Sequence, residues 1–138
     1  MKQFRNSRYW VTEDGKVFRH YPKIKSKYTT YHKNSNKLRA TTFYSRDEKW
    51  NQLSPVLRRA GYLVFNFKDF NGKKFLNISV HQMVAEVYVP GYFEGAEVDH
   101  IDCNKLNNYY TNLQWCTPDY NKRKGSNPTF PLYSEWNK

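Results

Sequence analysis

The chain has 138 residues, with 23 Lys and Arg against 12 Asp and Glu, which gives a formal net charge of +11. This length fits one modest domain, or a small domain with an extended arm, and excludes a large two-domain enzyme. No apolar run reaches the ~18–20 residues that cross a bilayer, and the first residues lack the apolar core of a signal peptide. We therefore expect neither a membrane span nor secretion. The two cysteines, Cys103 and Cys116, are expected to be free thiols in a reducing cytoplasm, with no disulfide-linked partner.

The positive charge is concentrated in the first part of the chain. Residues 1–60 contain 15 Lys and Arg and 4 Asp and Glu, whereas residues 61–138 contain 8 of each kind. Such asymmetry is typical of a chain that meets a polyanion, with nucleic acid as the first candidate and an anionic membrane surface as the second. We predict that residues 1–60 form a basic region that contacts nucleic acid.

This basic region is predicted to contain a β-hairpin and an arm. Residues 9–11 and 16–18 flank Asp14-Gly15, a dipeptide that favours tight hairpin turns. Residues 20–48 are polar and basic without a clear period, which indicates a long loop, an irregular arm or a weak strand pair around Leu38–Tyr44. Its basic side chains alternate with tyrosines and small polar residues, a mixture that suits phosphate contacts. The candidates in residues 1–60 are Lys23, Lys25, Lys27, Arg39, Arg58 and Arg59.

Clearer patterns begin at Gly61. Strand-like runs over residues 62–67 and 74–80 flank Asn71-Gly72, so a second hairpin is predicted. Residues 81–88 then change to a helical period. We interpret His81, at the start of this helix, as a structural histidine that makes a local hydrogen bond.

Residues 97–125 predict a strand, a polar loop, a second strand and a helix. The strands cover residues 97–101 and 113–116. Thr117-Pro118-Asp119 predicts the helix start, and Gly125 is a natural terminator. The remaining residues, 126–138, are expected to dock loosely or not at all.

This unit contains residue types that phosphodiester hydrolysis needs. A hard divalent ion takes oxygen ligands, and a histidine near the attacking water can act as general base. Asp99 and Asn121 are a candidate pair of metal ligands, with His100 beside them as the base. Neighbouring strand residues point to opposite faces, but this constraint relaxes where a strand runs into a loop. Asn112 is a candidate for pinning that loop by side-chain hydrogen bonds.

The string Glu97-Val98-Asp99-His100-Ile101-Asp102, with the asparagines that follow it, resembles the HNH endonuclease motif of phage homing endonucleases. The spacings of 12 from His100 to Asn112 and 9 from Asn112 to Asn121 are those of the variant whose last histidine is replaced by asparagine. The resemblance implies an α+β fold with a ββα-metal unit, preceded by small antiparallel hairpins and a basic irregular arm. It also implies that Asp99 and Asn121 hold one Mg²⁺ or Mn²⁺ ion, that His100 activates water, and that Asn112 is structural.

The predicted organisation is a DNA-contacting region (1–60), an HNH nuclease domain (61–125, with its ββα core at about 97–125) and a C-terminal tail (126–138). The predicted function is metal-dependent nicking or cutting of double-stranded DNA, in the host cytoplasm if the protein is phage-encoded. The alternatives are a non-catalytic DNA-binding protein derived from an HNH nuclease and, ranked last, an RNA-binding module. The predicted phosphate contacts near the metal are Lys122, Arg123 and Lys124.

Overall fold

A computed structural model describes residues 1–31, 38–68, 70–72 and 75–138, and it describes side chains outside residues 27–43. The described elements are antiparallel strands and short α-helices, so the fold is α+β. Each helix in these ranges is too short and too polar to cross a membrane.

The N-terminal sheet has the strand order β1-β2-β3-β6. Its strands are β1 (Lys2–Gln3), β2 (Tyr9–Val11), β3 (Val17–Tyr21) and β6 (Lys49–Leu53). Between β3 and β6, β4 (Ile24–Tyr31) pairs with β5 (Leu38–Arg46) as a separate two-stranded ribbon. Of the three alternatives for residues 20–48, a strand pair is therefore correct, and it is longer than predicted.

The predicted turn between β2 and β3 lies against the rest of the molecule. Gly15 has φ +91°, a left-handed conformation that suits glycine. A Cβ atom at this position would be 2.8 Å from Val80 Cγ1 and 3.2 Å from Asn108 Cβ. The glycine therefore allows the hairpin to approach the helix and loop beside the candidate site.

The second predicted hairpin is also present. It consists of β8 (Leu63–Phe67) and β9 (Leu76–Ser79), with β7 (Val56–Leu57) on the other side of β8. Helix α1 (Val80–Tyr88) follows directly and buries Val80, Met83, Val84 and Ala85.

The C-terminal unit is the predicted strand, loop, strand and helix. Strand β10 (Glu97–His100) pairs with β11 (Leu113–Cys116), and α2 (Pro118–Lys124) follows. The Thr117 hydroxyl accepts a hydrogen bond from the Tyr120 backbone N–H at 3.2 Å, so Thr117 caps α2 as predicted.

One hydrophobic core joins both sides of residue 60. Phe4, Val11 and Val17 from the N-terminal sheet belong to the same buried cluster as Met83 of α1 and Leu113 of β11. The candidate site therefore lies at the edge of a core that the N-terminal sheet helps to build. Residue 60 therefore separates two parts of the chain that differ in net charge but share one core.

The expectation that residues 126–138 dock loosely is wrong. Tyr120 of α2 is fully buried, and its ring contacts Phe130, Tyr133 and Trp136. Tyr133 and Trp136 lie in the short helix α3 (Tyr133–Trp136). The Tyr120 hydroxyl also donates a hydrogen bond to the Pro131 carbonyl at 2.6 Å. Three aromatic rings and this hydrogen bond fix the segment against α2.

Candidate active site

Asp99 and His100 are neighbours in β10, and their side chains lie on opposite sides of the strand. Asp99 pairs across the strands with Gln114 of β11, whose amide donates to Asp99 Oδ2 at 2.8 Å. The side chain of Asp99 also contacts Lys124 of α2. His100 points the other way, where its ring centroid is 6.0 Å from that of Tyr62 and 4.9 Å from that of His81.

These two side chains nevertheless line one cavity at the end of β10. The cavity has a volume of about 90 Å³, and Asn121 of α2 also lines it. The structure thus brings together the predicted base and both predicted metal ligands. Tyr62, Cys103 and Lys105 complete part of the wall.

His100 is held by a buried asparagine, Asn108, in the loop between β10 and β11. Its Nε2 lies 2.8 Å from Asn108 Oδ1, and both residues are buried. An amide oxygen can only accept a hydrogen bond, so this contact assigns the proton of the neutral ring to Nε2 and the lone pair to Nδ1. Burial lowers the pKa of His100, and the hydrogen bond that its ring donates to Asn108 partly offsets that shift. A neutral imidazole is the form that a general base requires.

Asp99 is held by a buried ion pair. Lys124 Nζ donates to Asp99 Oδ2 at 2.6 Å, and also to the backbone carbonyls of His100 at 2.7 Å and Ile101 at 3.1 Å. All three ammonium protons are therefore used within the site. The prediction that Lys124 contacts a DNA phosphate is wrong for this structure, because its side chain is only 1% exposed. Lys124 instead connects α2 to the end of β10.

The oxygen atoms of Asp99 and Asn121 suit a hard divalent ion. Asn121 Nδ2 donates to Glu97 Oε2 at 2.9 Å, which leaves its amide oxygen available. The two hydrogen bonds to Asp99 both reach Oδ2, so Oδ1 has no protein partner within the described residues. In those residues, no three His, Cys, Asp or Glu side chains form a metal-binding group. A carboxylate and an amide oxygen supplemented by water and substrate phosphate are a donor set that Mg²⁺ accepts.

Cys116 does not suit a thiolate metal site or a nucleophile. Both thiols are free. Burial raises the pKa of the Cys116 thiol to about 12, so it remains protonated.

Asn112 ties together the loop between β10 and β11. Its Oδ1 accepts from the Asp102 backbone N–H at 3.1 Å. Its Nδ2 donates to Asp102 Oδ1 and to the Asn107 carbonyl, both at 2.9 Å. These contacts correspond to the structural role predicted for Asn112, and they shape the loop that carries Asn108.

The basic residues predicted to contact DNA are found in different environments. The exposed ones are Lys23, Lys25, Arg58, Arg59, Lys122 and Arg123. Arg123 pairs with Asp119 at 3.1 Å, and Arg58 Nη2 donates to Asn66 Oδ1 at 3.1 Å. The side chains of Lys27 and Arg39 lie outside the described part of the structure.

Sequence reasoning missed the supporting roles of Asn108, Gln114 and Lys124. For Lys124 a signal was present: it lies four residues after Tyr120, so both residues occupy the same face of α2. Asn108 had no comparable signal, because the loop contains several asparagines and the sequence does not indicate which of them contacts His100.

The site is built on two antiparallel strands followed by a helix. Asp-His lies at the end of the first strand and Asn lies on the helix, which is the arrangement of a ββα-metal nuclease unit. Residues 79–123 match the family model described as HNH endonuclease. The chain is 34% identical over 116 residues to an uncharacterized HNH endonuclease of Acanthamoeba polyphaga mimivirus, covering 84% of this chain and 26% of that protein. It is 49% identical over 55 residues to DNA endonuclease I-HmuI of Bacillus phage SP01, covering 40% of this chain and 30% of that protein.

The chain is also similar to a solved structure of the HNH homing endonuclease I-HmuI, which describes DNA binding and cleavage by that protein. The TM-score is 0.55 at 28% identity, over 94% of this chain and 58% of that chain. Residues 79–123 of the chain therefore match the HNH endonuclease family, and phage homing endonucleases are among the proteins to which the chain is similar. The predicted α+β fold is confirmed by this structural match. The chain spans less than a third of the length of these two curated relatives.

Proposed function

We propose that this protein is a metal-dependent endonuclease that hydrolyses phosphodiester bonds in double-stranded DNA, as a homing-type enzyme. The observation that carries the proposal is the shared cavity of Asp99, His100 and Asn121 at the end of β10. The names of the relatives, which include a DNA endonuclease and homing endonucleases, support the same substrate.

Asp99 and Asn121 would hold one Mg²⁺ or Mn²⁺ ion through a carboxylate and an amide oxygen. When bound, this ion supplies Lewis-acid stabilisation of the negative charge that develops on the phosphate oxygens. Lys124 and Gln114 keep the Asp99 carboxylate in place through Oδ2. The Asp99 side chain would therefore be positioned before the ion binds, as would that of Asn121, which donates to Glu97.

His100 would remove a proton from the water that attacks the phosphorus. Burial lowers its pKa, which favours the neutral ring, and the hydrogen bond to Asn108 would keep the ring proton on Nε2. The lone pair on Nδ1 is then the acceptor for the proton from water. Asn112 contributes indirectly, because it holds the loop that presents Asn108.

The positive charge of residues 1–60 would bind the phosphate backbone of the duplex. Lys23, Lys25, Arg58 and Arg59 are exposed and accessible to phosphate, as is Lys122 near the site. Phosphate contacts of this kind position the duplex and carry little sequence information. We propose that the protein acts in the cytoplasm of a host cell.

The experiment compares plasmid nicking by the wild type with that by His100→Ala and Asn121→Ala in Mg²⁺. We expect both variants to lose nicking while retaining binding to a fluorescent duplex. A titration of Mn²⁺, followed by its paramagnetic resonance signal, should show weaker ion binding for Asn121→Ala and little change for His100→Ala. Nicking by purified His100→Ala at the wild-type rate would contradict the catalytic assignment. Binding without nicking by the wild type would favour the non-catalytic alternative.

A further inference from the structure

A second, larger cavity adjoins the pocket of Asp99, His100 and Asn121. It has a volume of about 570 Å³, and Tyr62, Val98 and Asn121 line both cavities. The smaller cavity, at about 90 Å³, is below the size of pockets that enclose small molecules, which begin at roughly 300 Å³. A DNA strand with its scissile phosphate at the smaller cavity must continue beyond it, and the larger cavity offers the space.

His81 lies in the wall of this larger cavity. Its Nε2 is 3.3 Å from Ser79 Oγ, which is the local hydrogen bond predicted from the sequence. Its Nδ1 has no hydrogen-bond partner within the described residues. The ring also contacts those of Tyr62 at 5.0 Å and His100 at 4.9 Å, so it is held beside the proposed base.

Arg58 lies in the same wall. A guanidinium group has five N–H donors, and Arg58 uses one of them for Asn66 Oδ1 within the described part of the chain. Glu97 also lines the cavity, but its carboxylate accepts a hydrogen bond from Asn121. Arg58 and His81 therefore provide donors that suit an anionic ligand.

We propose that the larger cavity is a subsite for the DNA backbone next to the scissile phosphate, where His81 and Arg58 donate hydrogen bonds to phosphate oxygens. This inference rests on the proposed function. It adds His81 as a substrate-contacting residue and places the phosphate contact of Arg58 next to the scissile phosphate. The two contacts differ in kind. Arg58 carries a permanent charge, whereas burial and the neighbouring His100 lower the pKa of His81 to about 4, so its ring is uncharged near neutral pH.

The test measures the affinity of the full chain for a fluorescein-labelled, random-sequence duplex in EDTA at several salt concentrations. Each cationic phosphate contact contributes about one to the slope of log affinity against log salt. Arg58→Ala should therefore lower that slope by about one. The matched control is Lys68→Ala, which removes an exposed charge outside both cavities and should leave the slope unchanged.

The second arm compares His81→Phe with His81→Gln. Phenylalanine keeps a ring against Tyr62 but has no donor, and glutamine restores a donor. Loss of one hydrogen bond to a charged group should weaken duplex binding about tenfold in His81→Phe, while the slope of log affinity against log salt stays unchanged. His81→Gln should retain most of the wild-type affinity. Thermal melting of each variant verifies that it folds.

The outcomes that would refute the subsite differ from the outcome that would refute the proposed function. Equal slopes for Arg58→Ala and the wild type, or wild-type affinity in His81→Phe, would overturn the subsite. Because these measurements are made in EDTA, they test DNA contact without cleavage. A wild type that never nicks plasmid would refute the proposed function while leaving the binding result to decide the subsite.

Discussion

Replacement of Lys124 by methionine tests how much the buried ion pair between Lys124 and Asp99 contributes to stability. The ammonium group donates to Asp99 Oδ2 and to the carbonyls of His100 and Ile101, and the two charged side chains are only 1% and 8% exposed. Methionine has a similar length but no charge. The substitution would leave a buried carboxylate with Gln114 as its remaining partner, and it would leave two carbonyls without their donor.

Removal of one member of a buried ion pair costs about 3–5 kcal/mol, so we expect Lys124→Met to lose about that much free energy of unfolding. Urea denaturation followed by tryptophan fluorescence measures the change. Lys122→Met is the matched control, because Lys122 is exposed on the same helix, and it should change stability by less than about 0.5 kcal/mol.

A double variant separates the ion pair from general packing. If the cost comes from the unpaired carboxylate, Lys124→Met combined with Asp99→Leu should be more stable than Lys124→Met alone. A loss below about 1 kcal/mol for the single variant would refute the argument that this pair holds α2 against β10.

Three further predictions concern stability. Thr117→Ala removes the cap of α2 and should lower the unfolding free energy by about 1 kcal/mol in the same denaturation assay. Gly15→Ala places a Cβ atom 2.8 Å from Val80 Cγ1 at φ +91° and should cost roughly 2–4 kcal/mol, with a correspondingly lower melting temperature. Because burial lowers the pKa of His81 to about 4, the unfolded chain binds a proton that the folded chain does not between pH 6.5 and about 4. Stability should therefore fall as pH drops through that window, by up to about 3 kcal/mol, and His81→Phe should show a smaller fall.

The ββα unit was predictable because its local signals agree with one another. Thr117-Pro118-Asp119 marks the start of α2, and Gly125 marks its end. The strand pairing then brings Asp99 opposite Gln114 and leaves His100 at the strand end. The spacing of His100 and Asn121 in the sequence therefore corresponds to a shared cavity in three dimensions.

The partners of the supporting residues were not predictable, because they depend on packing between distant segments; the spacing of Lys124 from Tyr120 indicates only the helix face that it shares. Lys122, Arg123 and Lys124 form one charged run in the sequence, yet only Lys124 turns inward to Asp99. The C-terminal segment contains Phe130, Tyr133 and Trp136, but its prolines and polar residues leave no regular period, so its sequence did not reveal that these three rings cover Tyr120.

The central claim is that Asp99, His100 and Asn121 form a metal-dependent nuclease site. Incubation of supercoiled plasmid with the purified wild-type chain, in Mg²⁺ and in Mg²⁺ with excess EDTA, tests it most directly. We predict nicked or linear product in Mg²⁺ and intact supercoiled plasmid in EDTA. Equal amounts of cleaved plasmid under both conditions would contradict a role for the metal.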